Sequence, residues 1–217
     1  MERRRIRNAV LSGACSAAAA VGVLVPAQPV QAQPVQAAEG YPRPALPVVT
    51  DQAFQDEALQ AHNQYRARHN SPPLTVDPEL VEYAKQRVIH LSTGRRLDLV
   101  HEGRVKGAGE NAWWGWSGPL ELGIDPAPAR SAVDAWYKQG GNYRFDKPGY
   151  DQNPGTGLFT QVVWKATTRF GCARAAGEGT GETKDGLESY IVCLYKVPGN
   201  AGDPAAYQQN VLPPVDN

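Results

Sequence analysis

Gly157-Leu158-Phe159-Thr160-Gln161-Val162-Val163-Trp164 decides how the rest of the chain is read. It is a short apolar segment anchored by a tryptophan, and it follows a polar loop, 146–157, crowded with the turn formers Asp, Asn, Pro and Gly. Its length and apolar character predict a short buried helix over 158–166. Downstream, Phe170–Ala176 and Ser189–Lys196 read as two strands joined by the glycine-rich connection Gly177–Gly186. Upstream, Ala129, Ala132, Val133, Trp136 and Tyr137 fall on one helical stripe that starts near Pro128 and is closed by Gly140-Gly141.

Further toward the N-terminus, Glu110–Trp116 is an aromatic segment suited to a strand, and a glycine-punctuated loop precedes it. Asp77-Pro78 is a helix start, with an N-cap followed by proline at the first helical position, and it leads into Leu80, Val81, Ala84, Val88 and Leu91 at helical spacing. The first helix is capped by Thr50 or Asp51 and carries Phe54, Ala58, Ala61, His62 and Tyr65 on its apolar face. The order helix, helix, strand, helix, helix, strand, strand predicts an α+β fold. The expected form is a three-layer α/β/α sandwich whose small sheet, mixed or mainly antiparallel, lies between helices.

At 217 residues and 41% apolar content, with all five tryptophans between 113 and 164, the chain suits one well-buried domain. A basic start (Arg3, Arg4, Arg5, Arg7) and the apolar run Ala9–Val25 read as an export signal over residues 1–37, with cleavage near Ala32 or Ala37; an uncleaved membrane anchor is the alternative. Residues 38–50 read as a proline-rich linker, 51–203 as the domain and 204–217 as a C-terminal tail. Without the first 37 residues the chain has 18 basic and 21 acidic side chains, a formal charge of −3, which speaks against nucleic acid as a partner. Cys172 and Cys193 are then the remaining cysteines. An even number in an exported chain, one on each strand of a hairpin, predicts a disulfide, with two buried free thiols as the alternative reading.

Several separated pieces of the chain resemble the CAP superfamily: cysteine-rich secretory proteins, insect venom allergens and plant pathogenesis-related class 1 proteins, which share the SCP domain. These pieces are His62-Asn63-Gln64-Tyr65-Arg66 with Pro72-Pro73-Leu74, then Gly109-Glu110-Asn111, the 157–164 stretch, and Tyr190–Asn200. The resemblance implies a cleft lined by two His and two Glu that bind divalent metal in some members. Mapped onto this chain, the four positions are His101, Glu110, Gln139 and Leu158. Leucine offers no donor and glutamine only a neutral amide, so no cofactor is expected; a Zn²⁺ site would survive only in weakened form on His101 and Glu110. Read from the residues alone, Glu110 could equally fix the glycine-rich turn by accepting loop amides. His62 reads as a hydrogen-bonded structural residue, whereas His69 and His90 have no evident partner in the sequence.

For function, the resemblance implies a secreted, non-enzymatic binder of small apolar lipids, a sterol or fatty acid, or a factor in host and microbe interaction. The alternatives are a metal-assisted hydrolase using His101 and Glu110, and a module that binds a cell-surface protein or wall polymer. The leaning is against an enzyme, because Gln139 cannot ionise and Leu158 can neither coordinate nor shuttle a proton. Intact-mass measurement of the exported chain should find a start between Gln33 and Glu39 and a mass two hydrogens short of the reduced form; an intact leader or two free thiols would contradict this reading.

Overall fold

The computed structural model describes residues 43–98, 100 and 102–215. Five helices and four strands follow in the order α1 (Gln52–Ala67), β1 (Thr75–Val76), α2 (Pro78–Thr93), β2 (Gly109–Pro119), α3 (Ala129–Lys138), α4 (Gly157–Val163), β3 (Arg169–Glu178), β4 (Gly186–Lys196) and α5 (Pro204–Asn210). Asp51 and Asp77 cap α1 and α2, their side chains accepting from Phe54 N–H and Glu79 N–H, as residues with short side-chain oxygens do at helix starts. The sheet order is β1-β3-β4-β2; β1 lies parallel to β3, and the other pairs are antiparallel. The sheet is therefore mixed and mainly antiparallel, as expected. No helix among the described residues is long and apolar enough to cross a membrane.

Central strand β4 explains the three layers. Successive side chains of a strand point to opposite faces. Ile191, Cys193 and Tyr195 therefore enter the core beneath α1, α3 and α4, and Tyr190, Val192 and Leu194 enter the one beneath α2. Because both faces are covered, the strand reads as a nearly continuous apolar run. Cys172 and Cys193 are direct partners in the β3–β4 register and form a disulfide across the two strands on the α1 side of the sheet, with Cα atoms 4.1 Å apart.

Two segments depart from the sequence reading. The proline-rich stretch does not act as a free linker from Arg43 onward. Ala176 N–H donates to Pro47 O (3.1 Å), Val49 N–H donates to Arg174 O (2.9 Å), and Leu46 is buried over α2, with its N–H donating to Ser92 Oγ (3.0 Å). Proline is tolerated there because the strap lies on the outer edge of β3, where only its carbonyl is needed. The C-terminal segment is likewise no loose tail. Asp203 and Pro204 start α5, Tyr207 packs edge-on to Trp164 at 5.1 Å between centroids, and Asn210 holds Lys165 N–H (3.0 Å) and Ala166 N–H (2.9 Å) through its backbone and side-chain oxygens. Unlike α4, which is apolar along most of its length, α5 buries Tyr207 alone, so no apolar pattern marks it in the sequence.

The histidines show what burial does to charge. His62 is fully buried; its Nδ1–H donates to Ala58 O (2.7 Å), which leaves Nε2 to accept from Tyr195 Oη–H (2.8 Å). Desolvation pushes its pKa down to about 4. His69, which the sequence leaves without a partner, is buried as well, donating to Leu212 O (2.6 Å) and accepting from Tyr137 Oη (2.9 Å). Burial pushes it and His90 down too. Between pH 6.5 and 4 the unfolded chain binds a proton at His62 that the folded chain refuses. The neutral His62 thus contributes its full stability above pH 6.5 and loses it as the pH falls toward 4, a difference of roughly 3 kcal/mol. Urea unfolding at pH 7, 5.5 and 4 should show falling stability, and NMR should place the His62 midpoint near 4; a midpoint near 6.5 would contradict the burial argument.

Candidate functional site

Three of the four cleft positions read from the sequence converge. Glu110 at the start of β2, Gln139 in the 3₁₀ turn after α3 and Leu158 in the first turn of α4 line one open cleft of about 340 Å³, together with Arg104, Tyr150 and Asn200. His101 lies outside the described residues.

The cleft is built by the same residues that make the sequence recognisable. Buried Gln161, on α4, accepts from Gly199 N–H (2.7 Å) and donates to Thr167 Oγ1 (3.2 Å). A Cβ at Gly109 would overlap the Gln161 amide oxygen, so glycine is what lets β2 begin against this side chain. Asn111 donates to Leu158 O (3.0 Å). Asn200, in the left-handed region at φ 59°, donates to Gly157 O (2.8 Å) and accepts from Thr160 Oγ1. The glycine and amide residues of three distant motifs thus clamp α4 on both flanks, a positioning task that sequence alone does not distinguish from chemistry.

Glu110 is not a free carboxylate. Arg87 of α2 grips it with two bonds, Nε to Oε2 at 2.6 Å and Nη2 to Oε1 at 3.1 Å, and also donates to Val100 O (2.9 Å). Both partners are nearly excluded from solvent, with side-chain exposures of 1% and 6%. The sequence reading, which offered a metal ligand or a carboxylate binding loop amides, does not include this partner. Arg87 sits 23 residues away on another element, and no local pattern marks the pair. Gln139 Oε1 accepts Leu158 N–H (3.2 Å), tying the turn after α3 to the start of α4. A Zn²⁺ ion needs three or four N, O or S donors from the protein. Here one position has no donor atom, one is a neutral amide already accepting a backbone N–H, and one is a carboxylate clasped by a guanidinium; these residues do not fit the ion. Among the described residues no three His, Cys, Asp or Glu side chains come together in a way that could hold a metal.

Elsewhere, Trp113 packs partly buried on the α1 side of the sheet and Trp114 on the α2 side, where Arg96 stacks 5.0 Å from its ring centre. Trp116 is half exposed, its Nε1–H donating to Thr183 O (3.1 Å). These rings serve the sheet faces, and none lines the cleft.

A family profile described as CAP, cysteine-rich secretory protein family, matches residues 59–195. This chain belongs to the CAP family. It is 34% identical over 161 residues to the human Golgi-associated plant pathogenesis-related protein 1, an alignment covering 74% of this chain and 94% of the relative. It is 35% identical over 160 residues to Secreted protein RBT4 of Candida albicans, covering 70% of this chain but 37% of that longer protein. Among solved structures, that of BmVAL-1 superposes with a TM-score of 0.54 at 18% identity, over 74% of this chain and 84% of the other, which is a likeness of fold.

The CAP signature residues here are structural clamps, and their loss should be felt as stability. Gln161→Leu leaves Gly199 N–H without its acceptor and should lower stability by about 2 kcal/mol in chemical denaturation. A change under 0.5 kcal/mol would show that the clamp carries no load.

Proposed function

We propose that this CAP-family chain is an exported, non-enzymatic binder of a small apolar lipid. The observation that carries this reading is an apolar pocket of about 230 Å³ beside α3 and α4, lined by His69, Tyr137, Phe145, Phe159 and Pro214 together with Gly140, Gly141 and the exposed Lys138. The rings meet edge to face, Tyr137 with Phe159 at 5.6 Å and Phe145 with Phe159 at 6.4 Å between centroids, leaving an aromatic surface suited to aliphatic chains. The volume lies below the usual range for sites that enclose a whole drug-sized ligand. A fatty acid therefore suits it better than a sterol, with part of the chain inside and the carboxylate near the exposed Lys138 ammonium. Export is supported by the basic and apolar leader in the sequence and by a relative whose name declares it secreted.

The hydrolase alternative suffers from the Arg87 clasp on Glu110, which takes the carboxylate away from general-base work. A wall-polymer or surface-protein module draws support from Tyr150, 55% exposed, which lines both the cleft and a neighbouring depression of about 430 Å³.

Native mass spectrometry of the chain purified from its own medium should show extra mass that leaves on denaturation and extracts as fatty acid. A Cβ at Gly141 meets open space, so Gly141→Leu should fill the pocket without distorting it and weaken uptake of a fluorescent fatty acid at least tenfold. A bare polypeptide that takes up no added fatty acid would overturn the reading.

A further inference from the structure

We infer that Arg87, buried beside the cleft and clasped to Glu110, neutralises the carboxylate that a divalent ion would otherwise need, and that the cleft keeps its shape without metal. The geometry of the pair carries the inference. A planar guanidinium presents parallel N–H donors that match the two oxygens of a carboxylate, and both are matched here, at 2.6 and 3.1 Å. The cation is immobile, because the side chain is 1% exposed and anchored a third time on Val100 O. An incoming divalent ion would have to share the Glu110 oxygens with this buried positive charge, in surroundings where like charges repel strongly.

The other cleft positions agree with an internally neutralised site. Gln139 and Leu158, both uncharged, are joined by the bond from Leu158 N–H to the Gln139 amide oxygen, so a second carboxylate is not needed to hold the start of α4. The pairing has a consequence that ligand counting misses. Supplying the two absent ligand types would not create a metal site while Arg87 remains, because both Glu110 oxygens already hold a countercharge from the chain itself.

The experiment uses the full mature chain and ZnCl₂ as the probe, read by calorimetry and by the zinc dependence of Tm. Wild type should show no binding heat and the same Tm in EDTA and in 1 mM ZnCl₂. The double variant Gln139→Glu/Leu158→His should stay as unresponsive as wild type. Adding Arg87→Gln to it should tighten Zn²⁺ binding at least tenfold and make Tm rise with zinc. Zinc binding by wild type, or equal affinity with and without Arg87 in the double-variant background, would overturn the inference. Should the triple variant fail to fold at any zinc concentration, Arg87→Met in the same background decides instead: it keeps much of the side-chain length and removes the charge, so a gain over the double variant supports the inference and no gain overturns it.

Discussion

A single buried cation ties the molecule together. Arg66, at the end of α1 and fully enclosed, donates from Nε to Pro72 O (2.8 Å), from Nη1 to Val162 O (3.0 Å) and Trp164 O (2.9 Å), and from Nη2 to Thr167 O (2.7 Å). Four backbone carbonyls, two of them at the C-terminal end of α4 where orphan acceptors and the negative end of the helix dipole coincide, take the place of a carboxylate partner. Ser71 completes the set by donating to Val163 O (2.7 Å). Burial without a countercharge pushes the Arg66 pKa down to about 10, yet the group stays charged at neutral pH. Helix α1, the turn after it and the exit from α4 therefore cannot shift independently, and α4 is the element against which the cleft and the apolar pocket are both formed.

That arrangement separates two roles that a motif merges. The amide and glycine residues of the signature pieces, Gly109, Asn111, Gln161 and Asn200, hold α4 and its neighbouring loops in place. The cleft positions carry chemistry only in so far as their side chains are free to engage something. In this CAP-family chain Leu158 and Gln139 engage each other, and Glu110 engages Arg87. The scaffold is thus complete while Glu110, Gln139 and Leu158 are engaged within the chain, which is why strong agreement with the family pattern says much about fold and little about activity.

Charge burial recurs as a design theme. Arg43 pairs with Glu188 across 145 residues under the strap, with Thr183 and Tyr190 also donating to that carboxylate. Arg87 pairs with Glu110, and Arg66 relies on carbonyls. Buried ions are costly to leave unpaired and give little net stability when paired, so their value lies in specifying one arrangement of the elements. The three lie under different parts of the sheet and its helices, consistent with a fold that pins its register by polar contacts inside two otherwise apolar cores.

The order and type of the longer elements were legible in the chain because they depend on short-range chemistry. Asp51 and Asp77 cap their helices through neighbours two or three residues away, the apolar stripes of α1, α2 and α3 repeat within a few turns, and the Cys172 and Cys193 strands are short apolar runs joined by a glycine-rich connection. The layered fold followed from that pattern, whereas the cleft positions Glu110, Gln139 and Leu158 were named by the family resemblance alone. Tertiary structure decided the rest: that the proline-rich strap pairs with the edge of β3, that α5 covers Trp164, that His69 has two partners, and that Glu110 belongs to Arg87. Each of these depends on groups brought together from distant segments, whose meeting is set by how whole elements pack. A residue's local pattern reveals the face it presents, and only the packed molecule determines what that face meets.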